Sequence, residues 1–278
     1  MPTFDTPEPV SATVEIEVGR IRVIAGKRTD TVVDVAPSDP GNKQDVQAAE
    51  ETKVTCADRE LLVKGPRKRP PFGKYGVIDV TVRLPAGSDL TGKSGLGDLI
   101  VEGGFGECRL TTATGHIHLE EATAARLKTP HGDILVDRVT GDADVQGSGR
   151  VRIGRIGGGA TVKNLNGETV IGEIGGELRV NSSNGPITVV RAESSVTART
   201  ASGAIRLDEV IRGRVTLDSS VGGLDVGIAE GTAAWLDVRS KMGRVRNELG
   251  AAQGPEQSDE TVEVRGRTSV GDIVIRRS

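Results

Sequence analysis

Gly149-Arg-Val-Arg-Ile-Gly-Arg-Ile-Gly-Gly-Gly-Ala-Thr-Val-Lys-Asn164 decides the fold, because it states a pattern that the rest of the chain repeats. With Gly149 as position zero, Val151, Ile153 and Ile156 fall at plus two, four and seven, and Gly158 at plus nine. Ala160 and Val162 follow at plus eleven and thirteen, and Asn164 at plus fifteen. The copy from Gly167 gives Thr169, Ile171, Ile174, Gly176, Leu178, Val180 and Ser182 at the same places. From Gly185 come Ile187, Val189, Ala192, Ser194, Val196, Ala198 and Thr200. Further copies open at Gly97, Gly115, Gly132 and Gly203 and, after a break, at Gly271. A period of about eighteen residues with period-two alternation inside each copy marks a β-solenoid, in which every repeat is one coil stacked on the last. We therefore expect an all-β fold, a single-domain β-solenoid (β-helix-like) with an irregular N-terminal β cap.

Each copy predicts two short strands whose alternate residues point inward, with Asp, Arg, Glu and Lys facing water. Glycine at the corners takes positive φ, which a side chain resists. The core must be aliphatic, since 36% of the chain is hydrophobic but only 2% is aromatic, and the glycines number 38. The copy from Gly115 is one residue short, and Val210 to Gly213 carries one extra, which predicts a bulge or longer corner. Ala251 to Glu260 reads as a projecting polar loop.

Residues 1–90 are less regular, and we read them as opening strands and a cap continuous with the solenoid, with residues 91–278 as its repeats. Val14-Glu-Ile-Glu-Val18, Gly19-Arg-Ile-Arg-Val23 and Thr81-Val-Arg-Leu84 alternate as strands, and Gln44 to Glu51 suits a short helix. A cap is needed because a bare solenoid end exposes unpaired strand edges. Arg276 and Arg277, at the chain terminus, read as charges that discourage pairing there.

The net charge of −3 gives no reason to expect nucleic acid as a partner. Pro2 to Pro9 has neither a basic nor an apolar region of the kind that makes a signal peptide. No apolar run approaches the roughly 18–20 residues that span a bilayer. Cys56 and Cys108 lack metal-type spacing and make no disulfide framework. The expectation is a soluble, cytoplasmic chain, with Cys108 a small inward residue.

Four features invite a functional reading. Asp98, His116 and Asp133 share the plus-one column, about 4.8 Å apart along the stack, and Asp-His-Asp is chemically able to hold zinc. An exposed ladder of alternating charge explains the column more simply, and we assign no metal, cofactor or catalytic residue. Lys64, Arg67, Lys68, Arg69 and Lys74 form a basic, proline-broken loop able to touch anionic lipid headgroups or nucleic acid, or to serve only as a solvated connector. The column Thr112, Thr129, Asn164, Ser182, Thr200, Ser219 and Ser240 suits corner side chains that bond turn backbone. Asp133, Asp137, Asp142 and Asp144 raise a carbohydrate-active enzyme, though no loops or aromatic platforms accompany them.

The repeated Ser/Thr-x-x-Gly-x-Ile-x-Val motif, as in Thr112-Thr-Ala-Thr-Gly115-His-Ile and Thr200-Ala-Ser-Gly203-Ala-Ile, resembles a bacterial family labelled "putative adhesin" of unknown function. Asn181-Ser-Ser-Asn-Gly185-Pro-Ile and the N-terminal Val-Glu-Ile-Glu-Val-Gly-Arg-Ile-Arg-Val run are similar to it too, so the likeness covers nearly the whole chain. The resemblance implies a β-strand-repeat, toast-rack-like domain acting without known catalysis. It also implies bacterial envelope-stress or membrane-protein company, and it supplies no active-site residues. The function expected is a non-enzymatic scaffold or binding module with a protein partner in an envelope-stress or transport-linked system. An exported adhesin and a carbohydrate-active β-helix enzyme are the alternatives.

Overall fold

The structure is a computed structural model and describes residues 1–66, 75–250 and 260–278. It is a β-solenoid: apart from the helix Lys43–Glu51, the elements among the described residues are strands. They group into two compact units, Met1–Arg138 and Val139–Ser278.

In the second unit each coil is two strands joined by glycine corners, such as Val151–Ile156 and Ala160–Asn164, then Thr169–Ile174 and Leu178–Asn184. Successive coils pair in parallel, so one repeat position becomes one row. Ile153, Ile171, Val189, Leu207 and Val226 are consecutive partners along one row. Val162, Val180, Ala198 and Leu217 form the facing row. All nine are buried, and their alternation is what turns the intervening charges outward. The extra residue at Val210–Gly213 shows in the register: Ala192 pairs with Val210, but the next strand pairs Val196 with Val215. The offset is taken back one coil later, at a bulge between Leu207 and Val210.

The last two coils stack out of sequence order. Strand Gly213–Val221 pairs with Thr261–Val270, and that strand in turn pairs with Ala233–Met242. On the facing side Leu224–Ile228 pairs with Ile273–Arg277, which pairs with Val245–Asn247. The chain thus builds the outermost coil at residues 233–247 and then returns to slide 261–277 beneath it. Residues Ile273 to Ile275 are paired on both sides, while Arg276 and Arg277 run past Asn247 and turn their side chains back into the same unit. Arg276 bonds Asp225 at 3.0 Å, and Arg277 donates to the carbonyls of Ala229 and Thr232, both at 2.9 Å. Residues 251–259 of the segment expected to project lie outside the described residues.

In the first unit the long strand Ser11–Gly26 is flanked on both sides. Its first half pairs with Glu60–Lys64 and with Asp89–Leu96, and its second half with Ile78–Pro85 and Leu99–Thr114. The outer coil made by Glu60–Lys64 and Ile78–Pro85 is itself covered. Lys53–Ala57 adds antiparallel to the former and Asp30–Pro37 to the latter. Helix Lys43–Glu51 connects them, with the Asn42 side chain accepting from Gln44 N–H at its N-cap. Asp45 is buried at its first turn, where its carboxylate takes the N–H groups of Asp39 and Val77. Antiparallel strands plus a helix are the cap that an exposed coil needs.

Cys108 is fully buried, and burial, then the charges of Asp89 and Glu107, push its thiol up to about 12. Cys56 is partly exposed, with its thiol raised only by partial burial. Since the thiolate is the reactive form, Cys56 alone should titrate with a disulfide reagent in the native chain, and Cys108 only in denaturant. Two fast native thiols would contradict the buried position.

Candidate binding groove

Corner chemistry accounts for two of the columns singled out above, Ser182 excepted: its hydroxyl is buried with no hydrogen-bond partner among the described residues. Thr112 and Thr129 donate their hydroxyls to the carbonyls of Gly97 and Gly115, at 3.0 and 2.9 Å. Asn164, Thr200, Ser219 and Ser240 do the same to Gly149, Gly185, Gly203 and Gly271. Each polar side chain thereby satisfies a corner carbonyl that lies beyond the strand ladder. Thr129→Val keeps the shape but leaves the Gly115 carbonyl without this donor. We expect a loss of about 1–3 kcal/mol in denaturant titration, and no effect would refute the assignment.

The plus-one column has an equally local task. Asp98 accepts the His116 backbone N–H at 2.8 Å, and His116 Nδ1 accepts the Asp133 N–H at 3.0 Å. Among the described residues no group of three or more His, Cys, Asp and Glu side chains is placed to share a metal ion. Asp142 likewise takes the Gly159 N–H, and Asp137 lies 3.6 Å from His118. These acidic residues brace neighbouring coils one at a time and do not converge on one point. Lys64 ends its strand beside Lys53 and Glu15, whereas Arg67, Lys68, Arg69 and Lys74 lie outside the described residues.

The site that composition alone did not reveal is an open groove of about 1070 Å³ on the second unit. Its floor and walls come from three strands that the out-of-order stacking makes neighbours: Gly213–Val221, Thr261–Val270 and Ala233–Met242. Along one outward row Arg214 stands next to Glu263 and Glu263 next to Trp235. Trp235, the chain's one tryptophan, is 57% exposed. It points outward because Ala234 and Leu236 on either side point in, a consequence of strand alternation.

The groove's charges are held in fixed pairs. Arg214 Nε donates to Glu263 at 2.8 Å, Arg265 Nε donates to the other Glu263 oxygen at 2.8 Å, and Arg212 reaches Glu260 at 3.2 Å. The hydrogen bond from Arg214, with that from Arg265, holds the Glu263 carboxyl below the usual carboxylate range despite some desolvation. Its charged form is therefore favoured in the folded state. That preference is fully present above the ordinary carboxylate pKa and is lost as pH falls through the lowered folded value. Guanidinium forks and an indole are thus displayed side by side on one outward face.

No family model matches the chain, and no curated protein matches it either. Several solved structures of bacterial proteins are similar to the chain at low identity. More particularly, it is similar to a putative adhesin from Parabacteroides distasonis ATCC 8503. The two share 11% identity over 81% of this chain and 95% of that one, with a TM-score of 0.42. A putative adhesin from Bacteroides fragilis NCTC 9343 is 14% identical over 99% of this chain and 95% of its own, with a TM-score of 0.35. A putative cell adhesion protein from Clostridium sporogenes ATCC 15579 is 12% identical over 100% and 98%, with a TM-score of 0.22. These names agree with the resemblance carried by the Ser/Thr-x-x-Gly-x-Ile-x-Val motif.

Proposed function

We propose that this protein is a non-enzymatic binding module that engages a protein partner through the Trp235 groove. The observation that carries the reading is the exposed indole itself. An outward tryptophan with paired arginines beside it adds little to a solenoid whose core is aliphatic. Trp and Arg are, however, the side chains that most often dominate binding energy at protein interfaces. Chemistry at the same place is disfavoured. A glycoside-cleaving acid must keep its proton near neutral pH, and Glu263 is held in the opposite state by Arg214 and Arg265.

The repeat-motif resemblance supports a partner in an envelope-stress or transport-linked system, and the cytoplasmic location is the reading made from the sequence itself. No helix among the described residues is long and apolar enough to cross a membrane. Cell fractionation of the native host checks the location, since recovery from the cell surface would favour the exported adhesin instead. The test of the groove is comparative capture. Trp235→Ala and Arg265→Glu should each lose a partner that the unaltered chain retains, while circular dichroism shows the fold intact. Identical partner sets for all three baits would overturn the reading.

A contact of Lys64, Arg67, Lys68, Arg69 and Lys74 with anionic headgroups makes a separate expectation. Binding to phosphatidylserine vesicles should appear at low salt, fade at high salt and vanish on neutralising Arg67 to Arg69. An absence of binding at low salt would remove it.

A further inference from the structure

We propose that the outermost coil is a seam for a second copy of this chain, joined antiparallel along strand Ala233–Met242 about a two-fold axis at Val238. The inference does not rest on what the groove binds, although the strand it uses also carries Trp235.

The strand has a partner on one edge only. It pairs with Thr261–Val270, and no other strand among the described residues lies along it. Ala233 N–H donates to the Glu260 carbonyl, so Ala233 and, by alternation, Trp235, Asp237 and Arg239 direct their backbone groups to that neighbour. Ala234, Leu236, Val238 and Ser240 direct theirs to the open edge. The interior is open there as well. Val262 and Val264, one coil in, are buried, whereas their row partners Ala234 and Leu236 are only part-buried. Met242 and Val245 on the same rim are 69% and 46% exposed. The strand has no proline, no bulge and no inward charge, the devices that natural edges use to refuse pairing.

The occupant follows from the charge pattern, which complements itself. With Val238 opposite Val238 of the second copy, the edge-directed residues Leu236 and Ser240 face each other and exchange backbone hydrogen bonds. The intervening positions then place Asp237 opposite Arg239 and Trp235 opposite Lys241, twice each by symmetry. These are non-hydrogen-bonded pairs, in which side chains approach most closely. Asp237 Oδ2 takes Arg267 at 2.9 Å, and its other oxygen can accept a guanidinium across the seam. Arg239 and Lys241 have no side-chain partner among the described residues, so both are free to turn to the seam. Moving the centre by one residue sets Asp237 against Asp237 or Arg239 against Arg239. Of these registers, only the one centred on Val238 joins Asp237 to Arg239 and sets no like charges against each other.

Sedimentation equilibrium of the purified full chain tests this without any other partner. The unaltered chain should dimerise reversibly, and its lone Trp emission should shift with concentration. Arg239→Glu sets two carboxylates across the seam at both symmetry-related points, and should weaken the dimer roughly tenfold or more. Asp237→Lys should do the same with cations. A one-to-one mixture of the two variants restores both opposite-charge pairs, and should form a heterodimer about as tight as the original. Val238→Pro removes an edge-directed N–H without touching the inner ladder, and should give a monomer with unchanged circular dichroism. Arg239 makes no internal contact, so its variant remains informative even if Asp237→Lys disturbs Arg267. The proposal is overturned by an unaltered chain that stays monomeric at every concentration, by a dimer indifferent to Arg239→Glu and Val238→Pro, or by a mixture of two folded variants no tighter than its parents.

Discussion

Gly185→Ala is expected to be among the most damaging single substitutions in this chain, and Gly185→Val to prevent folding. Gly185 has φ +126°, and a Cβ built there would lie 2.1 Å from the carbonyl oxygen of Gly167 and 2.7 Å from its carbon. Two costs add. A side chain at such a φ costs on the order of 1–3 kcal/mol in backbone strain. The clash adds about 1–3 kcal/mol of overpacking, because the obstacle is backbone and not a flexible side chain. The neighbours cannot relax outward, since Gly185 N–H bonds Ser202 and the coils on either side are locked in register. The same close approach recurs at Gly97, Gly115, Gly132, Gly203, Gly222 and Gly271, each over a corner glycine one coil away. A shift at one corner is therefore passed to the neighbouring corners of the same unit. Against a typical domain stability of about 5–15 kcal/mol, the sum is a large share. Gly26→Ala is the control: nothing lies within 4 Å of its added Cβ and its φ is not positive. It should be neutral or stabilising by about 0.4–1 kcal/mol. Urea titration of both variants decides the matter, and equal midpoints would refute the column.

The glycine column was legible in the sequence because every copy restates it. The facing of each side chain was legible for the same reason: alternation assigns Ile171 inward and Glu173 outward with no knowledge of neighbours. The Thr/Ser/Asn column followed from corner chemistry, and the helix from a polar run between strands. The identity of neighbours was harder to read. Ala234-x-Leu236-x-Val238 and Val262-x-Val264 offer the same inward pattern, so either fits against Val215 and Leu217. Periodicity fixes a residue's face and leaves its partner open. The groove inherits that ambiguity. Trp235 reads as outward from the sequence, but Glu263 and Arg214 become its row neighbours only after the later coil has slipped beneath the earlier one. The partial clue is composition, since Val262, Ile273 and Ile275 of the later coil stand where the earlier one offers the smaller or polar Ala234, Val245 and Asn247.

The second large effect separates the two orders directly. If coils stacked in chain order, Ile273 would sit in the terminal coil and Val245 one coil inside it. The structure reverses them: Ile273 is fully buried between Leu224 and Val245, whereas Val245 is 46% exposed. Ile273→Ala should therefore behave as a central core truncation, with a loss of about 2–5 kcal/mol from lost burial and the cavity left behind. Val245→Ala, with no further coil to cover it, should stay within about 0.5 kcal/mol. Position in the chain predicts the opposite ranking, because terminal residues are usually the most forgiving. The ranking extends to hydrogen exchange. Amides of residues 261–277 should be slow, shielded by coils on both sides, and those of 233–247 fast by local opening of the outer coil. Dimerisation along Ala233–Met242 would slow the second set in proportion to the fraction paired, while leaving the first unchanged. Fast exchange at 262–270 with slow exchange at 234–240 would mean that the chain winds in simple order, and the groove and the seam would then lose their shared foundation.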